Sequence, residues 1–267
     1  MTAKILYTYP YLSPMKMYTS LFYMISLYAS WSPNQVSLPL CGTDINLSIS
    51  GFKNSPVLMY NMHDNENTAA ISGRIMAVKY GGQYMELEHS GDRNITFLYE
   101  TDTISIDPNR IYTNTGIWLQ LAKNNIEDTS AFNEIAIWRD SLLSILNLNS
   151  RTLVIALHNN TNENYSFSSY TFGGEYAKEA DTTYQGAIKD MDDFYFVTDP
   201  GIFEVLATGR YHVVLQANET MTDDGSLSVY CAQNGIRYVN IEAQQGRLLR
   251  QIKMLIFAFQ HLVINRI

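Results

Sequence analysis

Cysteine is nearly absent from this chain: Cys41 and Cys231 are the two copies in 267 residues. That excludes a disulfide scaffold and any metal site built from four thiolates, and leaves room for one bridge at most. Basic residues are scarce as well. Eighteen Lys and Arg stand against 26 Asp and Glu, a net charge of −8 at pH 7. Affinity for nucleic acid comes largely from Lys and Arg on phosphates, so this balance argues against that class of partner. Long apolar runs are missing too: no segment matches the roughly 20 residues a membrane-spanning helix needs. Internal repeats and Pro- or Ser-rich linkers are absent. What is present is 46% hydrophobic, 12% aromatic and 16% charged residues, a globular composition. At this length one fold buries roughly three quarters of its unfolded surface and needs no staples.

The first 35 residues read differently from the rest. Lys16 precedes an uncharged run from Met17 to Tyr28, and the small residues Ala29, Ser30 and Ser32 follow. This is the layout of a secretory signal: basic start, apolar stretch, small-residue exit. The alternative is a strand or helix buried against the domain. The expectation is a leader over 1–35 and a single domain over 36–267. A working signal in 15–32 implies a periplasmic or secreted protein, and otherwise a cytoplasmic one. At the far end, apolar residues at 248, 252, 255, 259 and 262 predict an amphipathic helix that docks on the domain.

Between the ends, 57–60 reads as a buried strand, and Asn67 or Thr68 caps a helix to about Tyr80, stopped by Gly81-Gly82. Segments 84–89 and 95–99 read as a hairpin turned at Ser90-Gly91-Asp92. The longest helix is expected over 127–148, with Phe132, Ile135, Trp138, Leu142 and Leu146 on one stripe. Further strands are expected at 152–157, 194–197, 211–215, 227–231 and 238–241, with a helix near 201–207 and an acidic turn at 222–226. Alternating strands and helices predict an α/β fold, a mixed twisted sheet with helices on both faces. Ligands in such folds sit beyond the carboxyl ends of the strands, so chemistry is expected at those positions.

After the strand at 57 comes His63-Asp64-Asn65-Glu66, an imidazole and a carboxylate at i and i+3. Where a turn leads into a helix, both can face one cation. His158 follows the apolar run at 152–157; taken alone it reads equally as a core or loop histidine. Two His and one Glu match a catalytic zinc site, three protein ligands with a fourth position open. Asp107-Pro108-Asn109-Arg110 offers a guanidinium fork suited to a carboxylate, or simply a surface turn. Arg93, seventeen residues before Arg110, is either a partner to that clamp or a plain hairpin charge. Glu242 closes the strand 238–241 as either a general base or a salt-bridged rim residue.

Taken together, His63-x-x-Glu66, Asp107-x-Asn109-Arg110, His158 and Glu242, in that order, resemble the zinc carboxypeptidase family. The likeness is nearest its succinylglutamate desuccinylase/aspartoacylase branch, where the first motif reads H-G-N-E and the second D-L-N-R followed by an aromatic. It covers about 55–245. It implies a zinc-peptidase (phosphorylase/hydrolase-like) architecture and one zinc ion held by His63, Glu66 and His158. It further implies that Asn109 and Arg110 hold the substrate carboxylate and that Arg93 polarises the scissile carbonyl. Glu242 would take a proton from the attacking water and pass it to the leaving amine. The implied activity is hydrolysis of an amide bond next to a free carboxylate, on a small peptide, muropeptide or acyl-amino acid. The rival is a non-catalytic descendant of the same fold that binds a peptide or glycan. Asp64 stands where the family has glycine, adding bulk and charge beside the first ligand, and Pro108 stands where it has leucine. The Tyr- and Gly-rich stretch 162–193 is either a substrate-covering loop or a decorated surface.

Overall fold

The computed structural model describes residues 33–161 and 165–264. The expected leader thus lies outside the described residues except for its last three, and Asn34 and Gln35 already belong to the first strand. The described residues all belong to one compact unit.

Eleven strands and six α-helices are present among the described residues. The strands are β1 (Asn34–Ser37), β2 (Asn46–Gly51), β3 (Val57–Asn61), β4 (Gln83–Glu88), β5 (Ile95–Tyr99), β6 (Asp102–Ile106), β7 (Leu153–Asn160), β8 (Ala180–Tyr184), β9 (Phe194–Val197), β10 (His212–Gln216) and β11 (Tyr238–Gln244). The helices are α1 (Asn67–Tyr80), α2 (Asn114–Lys123), α3 (Thr129–Leu146), α4 (Pro200–Leu206), α5 (Leu227–Gln233) and α6 (Leu248–Leu262). Nine strands form one sheet in the order β1-β2-β4-β3-β7-β11-β9-β10-β8, and β5 and β6 pair separately. The central β4, β3, β7 and β11 run parallel, while β2 and β9 flank them antiparallel. The mixed α/β sheet is therefore as the alternation of segments predicts.

Side chains alternate cleanly between the two faces of the central strands. On one face Val57, Met59, Ile155, Leu157, Val239 and Ile241 pack under α1, α4 and α6. On the other, Leu58, Tyr60, Val154, Ala156 and Tyr238 pack under α2, α3 and α5. Buried on both sides, these strands read as unbroken apolar runs. Helix α3 buries Ile135, Trp138, Leu142 and Leu146 and half-buries Phe132, the stripe its spacing predicts. The last helix, α6, packs on α1 and β11.

Three expectations are corrected. Segments 84–89 and 95–99 do not form a hairpin: β4 lies inside the large sheet between β2 and β3, and β5 pairs with β6. The turn at 90–92 is real, but β4 is buried along nearly its whole length, as an inner strand must be. Residues 227–231 are helical, capped by the Ser226 hydroxyl accepting from the Val229 N–H. Seven residues are too few for periodicity to separate strand from helix. Finally, β7 and β11 run further than expected, so His158 and Glu242 lie within strands. Cys41 and Cys231 are unpaired.

Candidate metal centre and its cavity

Strand β3 ends at Asn61, and a turn carries the chain into α1. Within it the Glu66 N–H donates to the His63 carbonyl at 3.2 Å, which turns both side chains to the same side. Glu66 occupies the cap position of α1 without capping it; its carboxylate is spent on the histidines. In the neighbouring strand β7, His158 shares a face with Val154 and Ala156, so it arrives beside the turn.

The three side chains meet. His63 Nδ1 lies 2.8 Å from Glu66 Oε1 and 3.2 Å from His158 Nδ1, and His158 Nδ1 lies 3.1 Å from Glu66 Oε2. These atoms lie within 4.8 Å of one another, in buried residues, a group able to hold a metal ion. The spacing fits a small ion: tetrahedral zinc with ligands at about 2.0–2.1 Å places neighbouring ligand atoms ~3.3 Å apart. The orientation fits as well. His63 Nε2 is 2.8 Å from Asp107 Oδ1, so Nε2 is the nitrogen held by a supporting carboxylate and Nδ1 is the one turned to the cluster.

Charge follows this geometry. Burial opposes a charge on His63, but Glu66 and Asp107 outweigh it and raise its pKa to about 9. Burial likewise opposes the Glu66 charge, yet His63 and His158 hold its carboxyl well below the usual range. Asp107 is held low against burial by His63 and by the guanidinium groups of Arg93 and Arg110. Both carboxylates are thus ionised across the physiological range, as cation ligands and their supports must be.

Glu242 stands opposite His158 in the parallel pairing of β11 with β7. It is 5% exposed, and Asn240 Nδ2 donates to its Oε1 at 3.0 Å. Burial, reinforced by the Glu66 charge, raises its pKa, though His158 acts the other way. Arg93 reaches in from the loop after β4: Nη1 is 3.0 Å from Glu66 Oε1 and Nη2 is 3.5 Å from Asp107 Oδ2. Asn109 and Arg110 lie on a short turn capped by Asp107, whose Oδ1 accepts from the Asn109 N–H at 2.8 Å. Pro108 is buried at the first position of that turn, where its fixed φ suits the geometry. Glu66, Arg93, Asn109, Arg110, His158 and Glu242 all line one cavity of about 760 Å³. The cavity lies where the core on that face gives way between Tyr238 and the aromatic cluster of Tyr170 and Phe196.

Asp64 does not crowd the candidate metal ligands. Its Oδ2 accepts from the backbone N–H of His89 at 2.6 Å and of Gly91 at 2.7 Å, fastening the loop that carries Arg93. Sequence reasoning also missed Asn159. Its Oδ1 accepts from the Ala69 N–H at 2.8 Å, one of the four donors a helix start leaves unpaired. Its Nδ2 donates to Gln251 Oε1 at 3.0 Å, while Gln251 Nε2 donates to the His158 carbonyl at 3.0 Å. This brace joins α1, β7 and α6 behind the ligands. The local signal, two asparagines after an apolar strand, does not say which helix they meet.

No protein-family model matches the chain, and no curated protein matches it in sequence. Among solved structures the chain is similar to a succinylglutamate desuccinylase/aspartoacylase from Rhodobacter sphaeroides (12% identity, 86% of this chain and 64% of that one, TM-score 0.44). It is similar to an aspartoacylase family protein from Mesorhizobium loti (14%, 86% and 66%, TM-score 0.44). It is also similar to bovine thrombin-activatable fibrinolysis inhibitor, solved with tick carboxypeptidase inhibitor (13%, 96% and 98%, TM-score 0.44). The chain thus spans just under two thirds of the first two. What the site can do is read from this chain's own residues.

Proposed function

We propose that this protein is a zinc-dependent hydrolase that cleaves an amide bond adjacent to a free carboxylate. The observation that carries the reading is the convergence of His63, Glu66 and His158 beside a buried Glu242, with Glu66, His158 and Glu242 on the wall of one cavity. A bound zinc ion would supply Lewis acidity to the scissile carbonyl and to water. Glu242, with its pKa raised by burial, is suited to take a proton from the attacking water and pass it to the leaving nitrogen. Asn240 holds its Oε1, which keeps the second oxygen in place for the exchange. Arg93, half-exposed at the cavity edge, offers a cation where an oxyanion develops. Asn109 and Arg110 hold the substrate carboxylate.

A cavity of about 760 Å³ lies in the range of roughly 300–1,000 Å³ that encloses drug-sized ligands. That favours a peptide-sized substrate over the smallest acyl-amino acids. The testing experiment is elemental analysis of zinc per chain in the wild type and in His158→Ala, each purified without chelator. The expected ratio is about one in the wild type, collapsing in the variant. A wild type that takes up no zinc even on reconstitution sinks the hydrolase and leaves a peptide- or glycan-binding module.

A further inference from the structure

The wall of the cavity that faces the carboxylate clamp is not purely cationic. Asp224 Oδ2 lies 3.4 Å from Arg110 Nε, and both side chains are reachable from the cavity, at 43% and 32% exposure. Neither is an incidental surface group. Asp224 Oδ1 accepts from the Ser226 N–H at 2.9 Å, which fixes the carboxylate and leaves Oδ2 toward Arg110. The loop that carries it is fastened on both flanks: Glu179 accepts from the Thr222 N–H and hydroxyl, and Thr113 Oγ1 donates to Asp223. Gly116 and Gly225 bring the loop against the clamp, because a Cβ on either would meet the Arg110 carbonyl at 2.4 Å. Arg110 Nη1 donates to its neighbour's carbonyl at 2.8 Å, and its Nη2 has no partner among the described residues.

This arrangement has a chemical consequence. A ligand bearing a carboxylate alone gains Arg110 but approaches Asp224, so attraction and repulsion offset each other. A ligand bearing a carboxylate and an ammonium on adjacent atoms satisfies both groups at once. We propose that the cavity recognises a free α-amino-carboxylate, its carboxylate on Arg110 and its ammonium on Asp224. This rests on reading the cavity as the substrate site of the proposed hydrolase and narrows one part of it: the free carboxylate belongs to the amino acid that carries the scissile amide and does not lie next to that bond. The amide to be cleaved then joins the amino acid through its side chain, since the α-ammonium must be unacylated. Tyr170 and Tyr176 line the same cavity as Arg110 and Asp224.

The test is calorimetric titration of the zinc-loaded protein with three ligands. Nε-acetyl-lysine carries the α-amino-carboxylate free. Nα-acetyl-lysine moves the ammonium to the end of a four-carbon stem. Nα-acetyl-norleucine has no ammonium. Nε-acetyl-lysine is expected to bind about tenfold more tightly than the other two, the worth of one charge-assisted contact. Asp224→Asn is expected to remove that advantage while leaving the norleucine derivative bound as tightly or more so. Equal affinities in the wild type, preference for either Nα-acetyl ligand, no binding of Nε-acetyl-lysine, or an advantage that survives Asp224→Asn overturns the inference. The wild-type series decides by itself if the variant does not fold. Turnover is scored separately: binding preference without any hydrolysis would sink the hydrolase and leave this recognition standing.

Discussion

The metal corner and the opposite wall of the cavity are built on different principles. At the corner, His63, Glu66 and His158 are each under 5% exposed and come from rigid positions, a strand and the turn between a strand and a helix. Behind them stand two layers of support, Asp107 on the imidazole and the Asn159–Gln251 brace on the backbone. At the wall, Arg110 and Asp224 are partly exposed, lie on turns and pair loosely. The contrast shows where accuracy is demanded. A metal ion tolerates little error in its ligands, and a misplaced ligand costs binding directly. A recognition wall works through attraction over longer reach and can be revised without disturbing the chemistry.

The sharpest break of that comparison is Glu242→Gln. It removes the proposed base but none of the candidate ligands, so kcat is expected to fall by about 10²–10⁴-fold with zinc content unchanged. In the wild type the acid limb of kcat/KM should lie above the ordinary carboxylate value of 4.5, because burial raises this group. Activity is then lost as pH falls through that raised value, since the protonated form accepts nothing. Next in size is Asp107→Asn. It keeps the shape and removes the charge behind His63, and zinc affinity measured by chelator competition is expected to weaken about 10–100-fold. On the wall, Arg110→Ala is expected to raise KM roughly tenfold with kcat within a few-fold, the signature of lost ground-state binding. An equal loss in kcat would place Arg110 with the chemistry instead. An effect on stability and not on chemistry is expected from Gly116→Ala, which sets a methyl against Gly225 and the Arg110 carbonyl. Overpacking of this kind costs about 1–3 kcal/mol by denaturant unfolding, with zinc content intact.

The same contrast governs what the sequence discloses. The corner was legible because its information is local. An apolar run, then a histidine and a glutamate three apart, says that a strand ends in a turn with two candidate ligands on one side. His158 and Glu242 were found by the same logic, although the strands extend past both. Pairings between distant segments were not legible. Nothing in 83–88 says that it lies between β2 and β3, because register is set by contacts far away in the chain. Asp64 reads as an intruder beside the ligands until the backbone of 89–91 is seen folded over it. Asp224 reads as an acidic turn, and only the approach of two glycines places it beside Arg110.

The brace behind His158 bears on the order of events during synthesis. The three candidate ligands lie at 63, 66 and 158, yet Gln251, which holds the His158 carbonyl and Asn159, belongs to the last helix. Domains form as units as the chain emerges. A nascent chain therefore displays every ligand well before the element that steadies them exists. On the proposed reading, tight capture of an ion waits until α6 has left the ribosome and docked. On that reading, a chain cut short after β11 would carry the motif without the brace, and its zinc affinity is expected to be weaker.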